Sequence, residues 1–233
     1  MPNTQHMVRT QNGNIDVGQR VDQLFHLVDL DLQQENQEKR IALRRGVAKY
    51  LFIRKKYGEG SLDEAFWSAF MDFYKMNRFQ YKVDMNQFKA LFRPGPVLPS
   101  IHNAMRNIVN TNLPPAAQTA ELSFASKALH TVNNDLPIYD KKVKSFFRLP
   151  PRVGNTLQEH IDSATNCYET LCRFYDNRNR NGLNRLLEEY TRLIGAQRNP
   201  EGLQYGNYAF TRDDAMSISD VKKIDFMIWN YWN

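Results

Sequence analysis

Asp140 is the residue of this sequence that is best placed to supply a chemically useful negative charge. It follows a turn-forming stretch, residues 133–135, and Pro137, and an apolar helical pattern starts directly after it. Proline disfavours helical geometry in the residue before it, and aspartate is a preferred N-cap, so we predict that Asp140 begins a helix. The positive end of the helix dipole favours the ionised form of such a carboxylate. An ionised carboxylate can stabilise a positive charge that develops on a substrate.

Two short helices must position this carboxylate. The first, over residues 121–132, has apolar residues at spacings of three and four, which is typical of a helix that lies against a core. These residues are Leu122, Ala125, Leu129 and Val132. Lys127 lies off this stripe. The second helix, over residues 141–148, turns its apolar side chains inward and leaves its lysines largely to solvent. The inward residues are Val143, Phe146 and Phe147, and the lysines are Lys141, Lys142 and Lys144.

This arrangement carries a family resemblance. Lys127, Pro137 and Asp140 resemble the Lys…Pro-x-Asp element of the helix-hairpin-helix DNA glycosylase superfamily, which includes bacterial proteins similar to 8-oxoguanine glycosylases. The resemblance covers about a fifth of the chain and a tryptophan-bearing final helix. The superfamily's Leu-Pro-Gly-x-Gly hairpin has no counterpart, because residues 113–117 contain no glycine. The separation of Lys127 from Asp140 is also shorter than in the subfamilies that carry the lysine.

The resemblance implies roles for both residues. In the superfamily the aspartate assists cleavage of the bond between a base and its sugar, so Asp140 is expected to be the catalytic carboxylate. The reaction passes through a positively charged sugar, for which one well-placed anion suffices. Members that also cut the strand place a lysine on the preceding helix. Lys127 is therefore the candidate amine that forms a Schiff base with the sugar and adds lyase activity.

A glycosylase must also hold the strand and enclose a flipped base. From Lys141 to Arg152 the chain has five cations and no acid, and these are the candidate nucleic-acid-binding residues: Lys141, Lys142, Lys144, Arg148 and Arg152. Such a run favours contact with phosphate groups, although an ordinary solvated face has the same pattern. Tyr139 and Trp67 are the candidate walls of the base pocket. Trp67 belongs to an aromatic helix pattern that equally suits a hydrophobic core.

The key residues also have ordinary structural explanations. An aspartate at a helix N-cap contributes about 1 kcal/mol to stability and needs no catalytic role. Lys127 fits an exposed helix lysine whose stem lies along apolar surface. His130, three residues after Lys127, fits a hydrogen-bonded residue of the scaffold. The sequence leaves these alternatives open.

Composition favours a basic, cytoplasmic protein with a polyanionic partner. The chain has 233 residues, a net charge of +6 and 42% hydrophobic residues, enough for a substantial core. Cys167 and Cys172 lie on different faces of a predicted helix, which fits a reducing compartment. The cysteines and the five histidines make no metal-ligand pattern, so we expect no metal, iron–sulfur cluster or other cofactor. We expect no signal peptide and no membrane span, because no apolar run approaches roughly 20 residues.

The apolar periodicity predicts an all-α, compact multi-helix domain like that of the resembled superfamily. Residues 1–16 are expected to form a flexible arm, and residues 17–233 a single helical domain, with two sub-lobes meeting near 110–120 as an alternative. The helix predicted over 36–57 turns Ile41, Val47, Leu51 and Phe52 inward and its basic residues outward. Ser61 and Glu64 form a predicted capping box. Residues 197–212 are predicted to be irregular.

The leading functional hypothesis is a DNA-binding protein that hydrolyses the N-glycosidic bond of a modified or damaged base in duplex DNA. The alternative is a glycosylase-like scaffold without chemistry that recognises nucleic acid or acts in anti-phage defence. A third hypothesis is a protein–protein interaction module, in which the basic residues would have no role in binding nucleic acid. Binding and base-release assays discriminate these hypotheses.

Overall fold

The computed structural model describes residues 17–33, 38–78, 80–93, 97–179, 181–195 and 203–232. The predicted N-terminal arm, residues 1–16, lies outside the described residues. Helices form most of the part that is described, so the predicted all-α class is confirmed. No helix in these ranges combines the length and apolar character that a membrane crossing would require.

Eleven α-helices follow one another along the described chain. They are α1 (Val17–Gln33), α2 (Glu38–Gly58), α3 (Glu64–Phe73), α4 (Met85–Ala90), α5 (Ile101–Asn107), α6 (Leu122–Val132), α7 (Lys141–Phe147), α8 (Leu157–Asp176), α9 (Asn184–Gly195), α10 (Arg212–Met216) and α11 (Asp220–Tyr231). Short 3₁₀ turns lie at Gln80–Lys82 and Pro115–Ala117. The two strands are β1 (Gln204–Tyr205) and β2 (Tyr208–Ala209).

The region predicted to be irregular contains ordered structure, so that prediction was wrong where the region is described. Strands β1 and β2 pair antiparallel, with Tyr205 opposite Tyr208, and α10 begins at Arg212. Gly206 occupies the turn with φ of 57°, a left-handed conformation that glycine adopts without strain. The two tyrosine rings pack on Phe52 of α2. Strands of two residues give too little alternation to be recognised in a sequence.

Helix α2 lies at the centre of the fold, where it packs against α3, α6, α11 and β1. One continuous hydrophobic core extends from Val21 in α1 to Tyr231 in α11. Because α3, α6 and α11 all pack on α2, residues far apart in the chain come close together around it. This arrangement brings together the helices that carry the candidate site.

The orientation of α2 differs from the prediction at its first turns. Ile41 is 44% exposed, whereas Arg44 is only 5% exposed and its guanidinium donates to the Ile194 carbonyl oxygen at 3.2 Å. Arg40 is buried as well. Positions 40, 43, 44 and 47 form the buried stripe at spacings of three and four, and position 41 lies outside it. The basic residues of α2 are thus only partly on a solvated face.

Side-chain caps set the beginnings of several helices. The predicted capping box at Ser61 and Glu64 was wrong, because the N-cap of α3 is Asp63, whose carboxylate accepts from the Phe66 amide at 2.9 Å. The predicted cap at Asp140 is confirmed: its carboxylate accepts from the Val143 amide at 2.8 Å. Aspartate satisfies amide groups that have no partner inside the helix. Asp140 therefore has a fixed position at the start of α7.

Candidate active site

Lys127 and Asp140 both line one cavity of about 290 Å³. Helix α6 supplies Lys127, and the N-cap of α7 supplies Asp140. The other walls come from the end of α3, the turn before α4, the start of α6 and helix α11. The lining residues are Tyr74, Lys75, Met76, Lys82, Glu121, Ser123, Phe124, Lys127, Asp140, Lys141, Lys142 and Trp229. The structure thus brings together the two residues to which the sequence assigned chemistry.

Asp140 is partly buried, and both of its carboxylate oxygens accept hydrogen bonds. One oxygen accepts from the Val143 amide, and the other accepts from the indole N–H of Trp229. Trp229 belongs to α11, which packs against α7. Lys142 Nζ in turn donates to the Trp229 carbonyl oxygen at 2.9 Å. These bonds hold the carboxylate in place beside the cavity that Asp140 lines.

Lys127 is 7% exposed, so it does not extend into solvent. Its Nζ donates to Ser123 Oγ at 2.7 Å and lies 5.9 Å from the centre of the Tyr74 ring. Burial lowers the pKa of Lys127 to about 8, against the opposing effects of the Asp140 and Asp225 carboxylates. A lysine with such a pKa is partly a free amine near neutral pH, and the free amine is the nucleophilic form.

The loop between α6 and α7 is fixed by side chains from two helices. Ser126 Oγ accepts from the Tyr139 amide at 3.0 Å, and the Tyr168 hydroxyl of α8 donates to the Pro137 carbonyl at 2.8 Å. His130 Nδ1 lies 2.6 Å from the Leu136 carbonyl, an acceptor, so Nδ1 is the donor there. Burial lowers the pKa of His130 well below its ordinary value. His130 is therefore a neutral residue of the scaffold.

The predicted nucleic-acid-binding residues divide into two groups. Lys141 and Lys142 line the cavity, whereas Lys144, Arg148 and Arg152 do not. Arg152 donates to the Ala120 carbonyl oxygen at 2.6 Å, and Arg148 caps the C-terminus of α7 in a left-handed conformation with φ of 46°. Lys75 and Lys82, which the sequence interpretation did not select, lie beside the first group at the cavity.

The predicted pocket walls lie elsewhere. Tyr139 is 5% exposed and packs in the core. Trp67 stacks edge-on against Phe66 and Phe92 and donates to the Leu62 carbonyl at 3.1 Å. Neither is among the described residues that line the cavity. Its aromatic walls are instead Tyr74, Phe124 and Trp229.

Only one of these rings has a signal in the sequence. Trp229 stands in the tryptophan-bearing final helix that the family resemblance places beside the aspartate helix. Tyr74 and Phe124 had no distinguishing spacing, because both also belong to apolar helical patterns.

Within the described ranges, no cluster of three or more histidine, cysteine, aspartate or glutamate side chains is placed to hold a metal ion. Cys167 and Cys172 are both free thiols.

Comparisons of this chain with protein-family models, with curated proteins and with solved structures found no match.

Proposed function

We propose that this protein binds DNA and hydrolyses the N-glycosidic bond of a modified or damaged base that enters the cavity between α6, α7 and α11. The observation that carries the proposal is the meeting of Lys127 and Asp140 in one cavity. They are also the two residues to which the family resemblance assigns chemistry. Cleavage of the base–sugar bond needs a carboxylate close to the sugar, the role of Asp140, and a nucleophile, which is water in hydrolysis and the Lys127 amine in the additional lyase reaction.

Asp140 has the environment that this role requires. As the sugar–base bond breaks, its electron pair leaves with the base and the sugar becomes cationic. A preorganised carboxylate stabilises that charge without having to reorient during the reaction. The two hydrogen bonds from Val143 and Trp229 hold Asp140 in place. Water then adds to the sugar carbon, and the proton it releases balances the charge of the departed base.

The remaining lining suits an anionic strand and a flat base. Tyr74, Phe124 and Trp229 offer rings on which a flipped base stacks. Lys75, Lys82, Lys141 and Lys142 surround the same opening and favour phosphate groups. The net charge of +6 assists the approach of DNA over longer distances. The free thiols of Cys167 and Cys172 fit a cytoplasmic site of action.

The proposal is tested by a base-release assay. Duplexes that carry single oxidised, alkylated or deaminated bases are incubated with the protein, and abasic sites are detected by strand cleavage in alkali. We expect one class of modified base to be released by the wild type. Asp140→Asn keeps a good helix cap but removes the charge, so it should lower the rate by at least about 100-fold. No release from any duplex, or full activity in Asp140→Asn, would contradict the proposal.

A matched control separates the charge of Asp140 from its capping role. Asp84 caps α4 by accepting from the Asn86 and Gln87 amides, and it does not line the cavity. Asp84→Asn should therefore leave base release unchanged. Equal loss of activity in both variants would indicate damage to the fold rather than loss of a catalytic charge.

One observation favours a second candidate, a glycosylase-like protein that binds nucleic acid without chemistry, for instance in anti-phage defence. Both oxygens of Asp140 already accept hydrogen bonds from the protein itself, as in an ordinary structural cap. This candidate predicts salt-sensitive binding to DNA with no base release from any duplex. It also predicts that Asp140→Asn binds as tightly as the wild type.

A further inference from the structure

Helix α11 carries an ion pair in the interior of the protein, behind the candidate site. Lys222 and Asp225, one turn apart, form this pair, and the side chain of each is 3% exposed. Four aromatic rings surround Lys222 Nζ at 4.7 to 5.5 Å from their centres: Tyr50, Phe73, Tyr74 and Phe226. Among the described residues, Asp225 Oδ1 is a buried oxygen without a hydrogen-bond partner.

A buried ion pair is in general not needed to stabilise a helical core. Removing two charges from water is costly, and apolar side chains of similar volume often stabilise such a position equally well or better. The unpartnered Asp225 oxygen adds to the cost. A buried ion pair that costs desolvation free energy and lies beside a cavity points to an electrostatic role at that cavity.

Tyr74 connects the pair to the cavity. Lys222 Nζ lies 5.5 Å from the centre of its ring, and Lys127 Nζ lies 5.9 Å from the same centre. Tyr74 also lines the cavity. The pair therefore lies behind one wall of the site, within electrostatic reach of the Lys127 amine.

Charged groups from several elements act on Lys127. The carboxylates that favour its ammonium form are Asp140 at α7, Asp225 on α11 and Glu121 before α6. Lys222 and burial favour the free amine instead. The cavity lysines Lys75, Lys82, Lys141 and Lys142 add positive charge at the opening. Of the two partners on α11, Asp225 has the larger effect on Lys127.

We propose that Asp225, held in place by its ion pair with Lys222 behind the Tyr74 ring, is a positioning residue that acts through Lys127. With Asp225 present, Lys127 exists as both ammonium and free amine near neutral pH. Without it, burial shifts the balance further toward the uncharged form.

The consequence for chemistry rests on the proposed function. In the lyase route the free amine of Lys127 attacks the sugar carbon in place of water: an N–C bond forms, and the bond to the base breaks with its electron pair leaving on the base. The amine gives up a proton in the same step, and the base takes up a proton as it departs. An amine whose pKa lies near the working pH is best suited both to lose a proton to the surroundings and to be available as the free nucleophile.

The inference is tested without DNA, by NMR titration of protein labelled with ¹³C at the lysine ε-carbons. The Lys127 signal is identified by its absence in Lys127→Met. We expect it to titrate with a midpoint near 8 in the wild type. Asp225→Asn removes a neighbouring negative charge and should lower the midpoint by about one pH unit. An unchanged midpoint in folded Asp225→Asn, or a wild-type midpoint near 10.5, would overturn the inference.

Asp31 provides a matched control. It is also a buried carboxylate, on α1, where it accepts from the Tyr231 hydroxyl at 3.2 Å, and it is not among the groups that act on Lys127. Asp31→Asn should leave the Lys127 midpoint unchanged. An equal shift in this variant would show a general disturbance of the fold and would also contradict the assignment.

A second variant keeps the test decisive if Asp225→Asn does not fold. The double substitution Lys222→Met and Asp225→Leu replaces the pair with apolar side chains, which proteins tolerate well. Because Asp225 has the larger effect, the Lys127 midpoint should fall in this variant too. If the Lys127 midpoint falls in this variant but the wild-type protein releases no base from any duplex, the positioning role is retained and only the proposed function is refuted.

Discussion

Asp140 and Lys127 owe their environments to different kinds of contact. Asp140 is a helix cap whose position depends on its neighbours in the sequence, a proline turn before it and an apolar helix after it. The burial of Lys127 had no such local signal, since it lies off the apolar stripe of α6. Its environment is formed by Tyr74 and Asp140, which come from other elements.

The buried state of Lys127 predicts a pH-dependent stability. Its pKa is lowered from 10.5 to about 8 on folding, so between these values the unfolded chain binds more protons than the folded one. The stability of the wild type therefore gains from this group as pH rises through that window, by roughly 3 kcal/mol in total. Lys127→Met lacks this gain. Its stability relative to the wild type should be highest at pH 7 and decline by pH 10.

Urea unfolding at both pH values measures this difference. Lys89→Met provides the control, because Lys89 is exposed on α4. Its stability relative to the wild type should be the same at pH 7 and pH 10. If the stability of Lys127→Met relative to the wild type is also the same at pH 7 and pH 10, folding does not lower the pKa of Lys127.

At the scale of elements, the sequence predicts where helices lie better than it predicts which face of each helix is buried. The apolar residues of α2 predicted an inward Ile41, but the stripe through Arg40 and Arg44 is the buried one. Arginine has a long apolar stem and a guanidinium that can reach a carbonyl group, so it can lie on a buried face. A rule that places every charged residue on the exposed face therefore fails for Arg40 and Arg44. The hairpin of β1 and β2 was missed for a related reason, because two residues per strand give no periodicity.

The loop between α6 and α7 positions Asp140, and its hydrogen bonds yield a prediction. Ser126→Ala leaves the buried Tyr139 amide without its acceptor, which should cost about 1–3 kcal/mol of unfolding free energy. Because Tyr139 adjoins Asp140, base release should also slow. Urea unfolding and the base-release assay measure the two effects.

Thr191→Ala is the matched control for this prediction. The Thr191 hydroxyl bonds to the Leu187 carbonyl on an exposed face of α9, where water replaces the lost bond. Its cost should stay within about 0.5 kcal/mol. If Ser126→Ala is equally mild, the loop does not depend on that hydroxyl.

At the scale of the whole molecule, the cavity depends on contacts that no local pattern encodes. It combines the end of α3 with α6, α7 and α11, which come together because α3, α6 and α11 pack on α2. The sequence supplied its two central residues and its helical class, but it did not reveal Tyr74 or Phe124 as walls. Lys222 and Asp225 have the spacing of a surface ion pair, and only the tertiary structure shows that they are buried.

The distribution of charge over the molecule gives a prediction for DNA binding. Lys141 is exposed at the cavity, whereas Lys55 lies in the last turn of α2, does not line the cavity and is paired with Glu59 at 2.7 Å. If Lys141 contacts a phosphate, Lys141→Gln should weaken binding to all duplexes alike. The slope of log affinity against log salt should then decrease by about one. Lys55→Gln should change neither quantity. Binding titrations by fluorescence anisotropy at several salt concentrations measure both, and identical slopes in the two variants would place the DNA on another face.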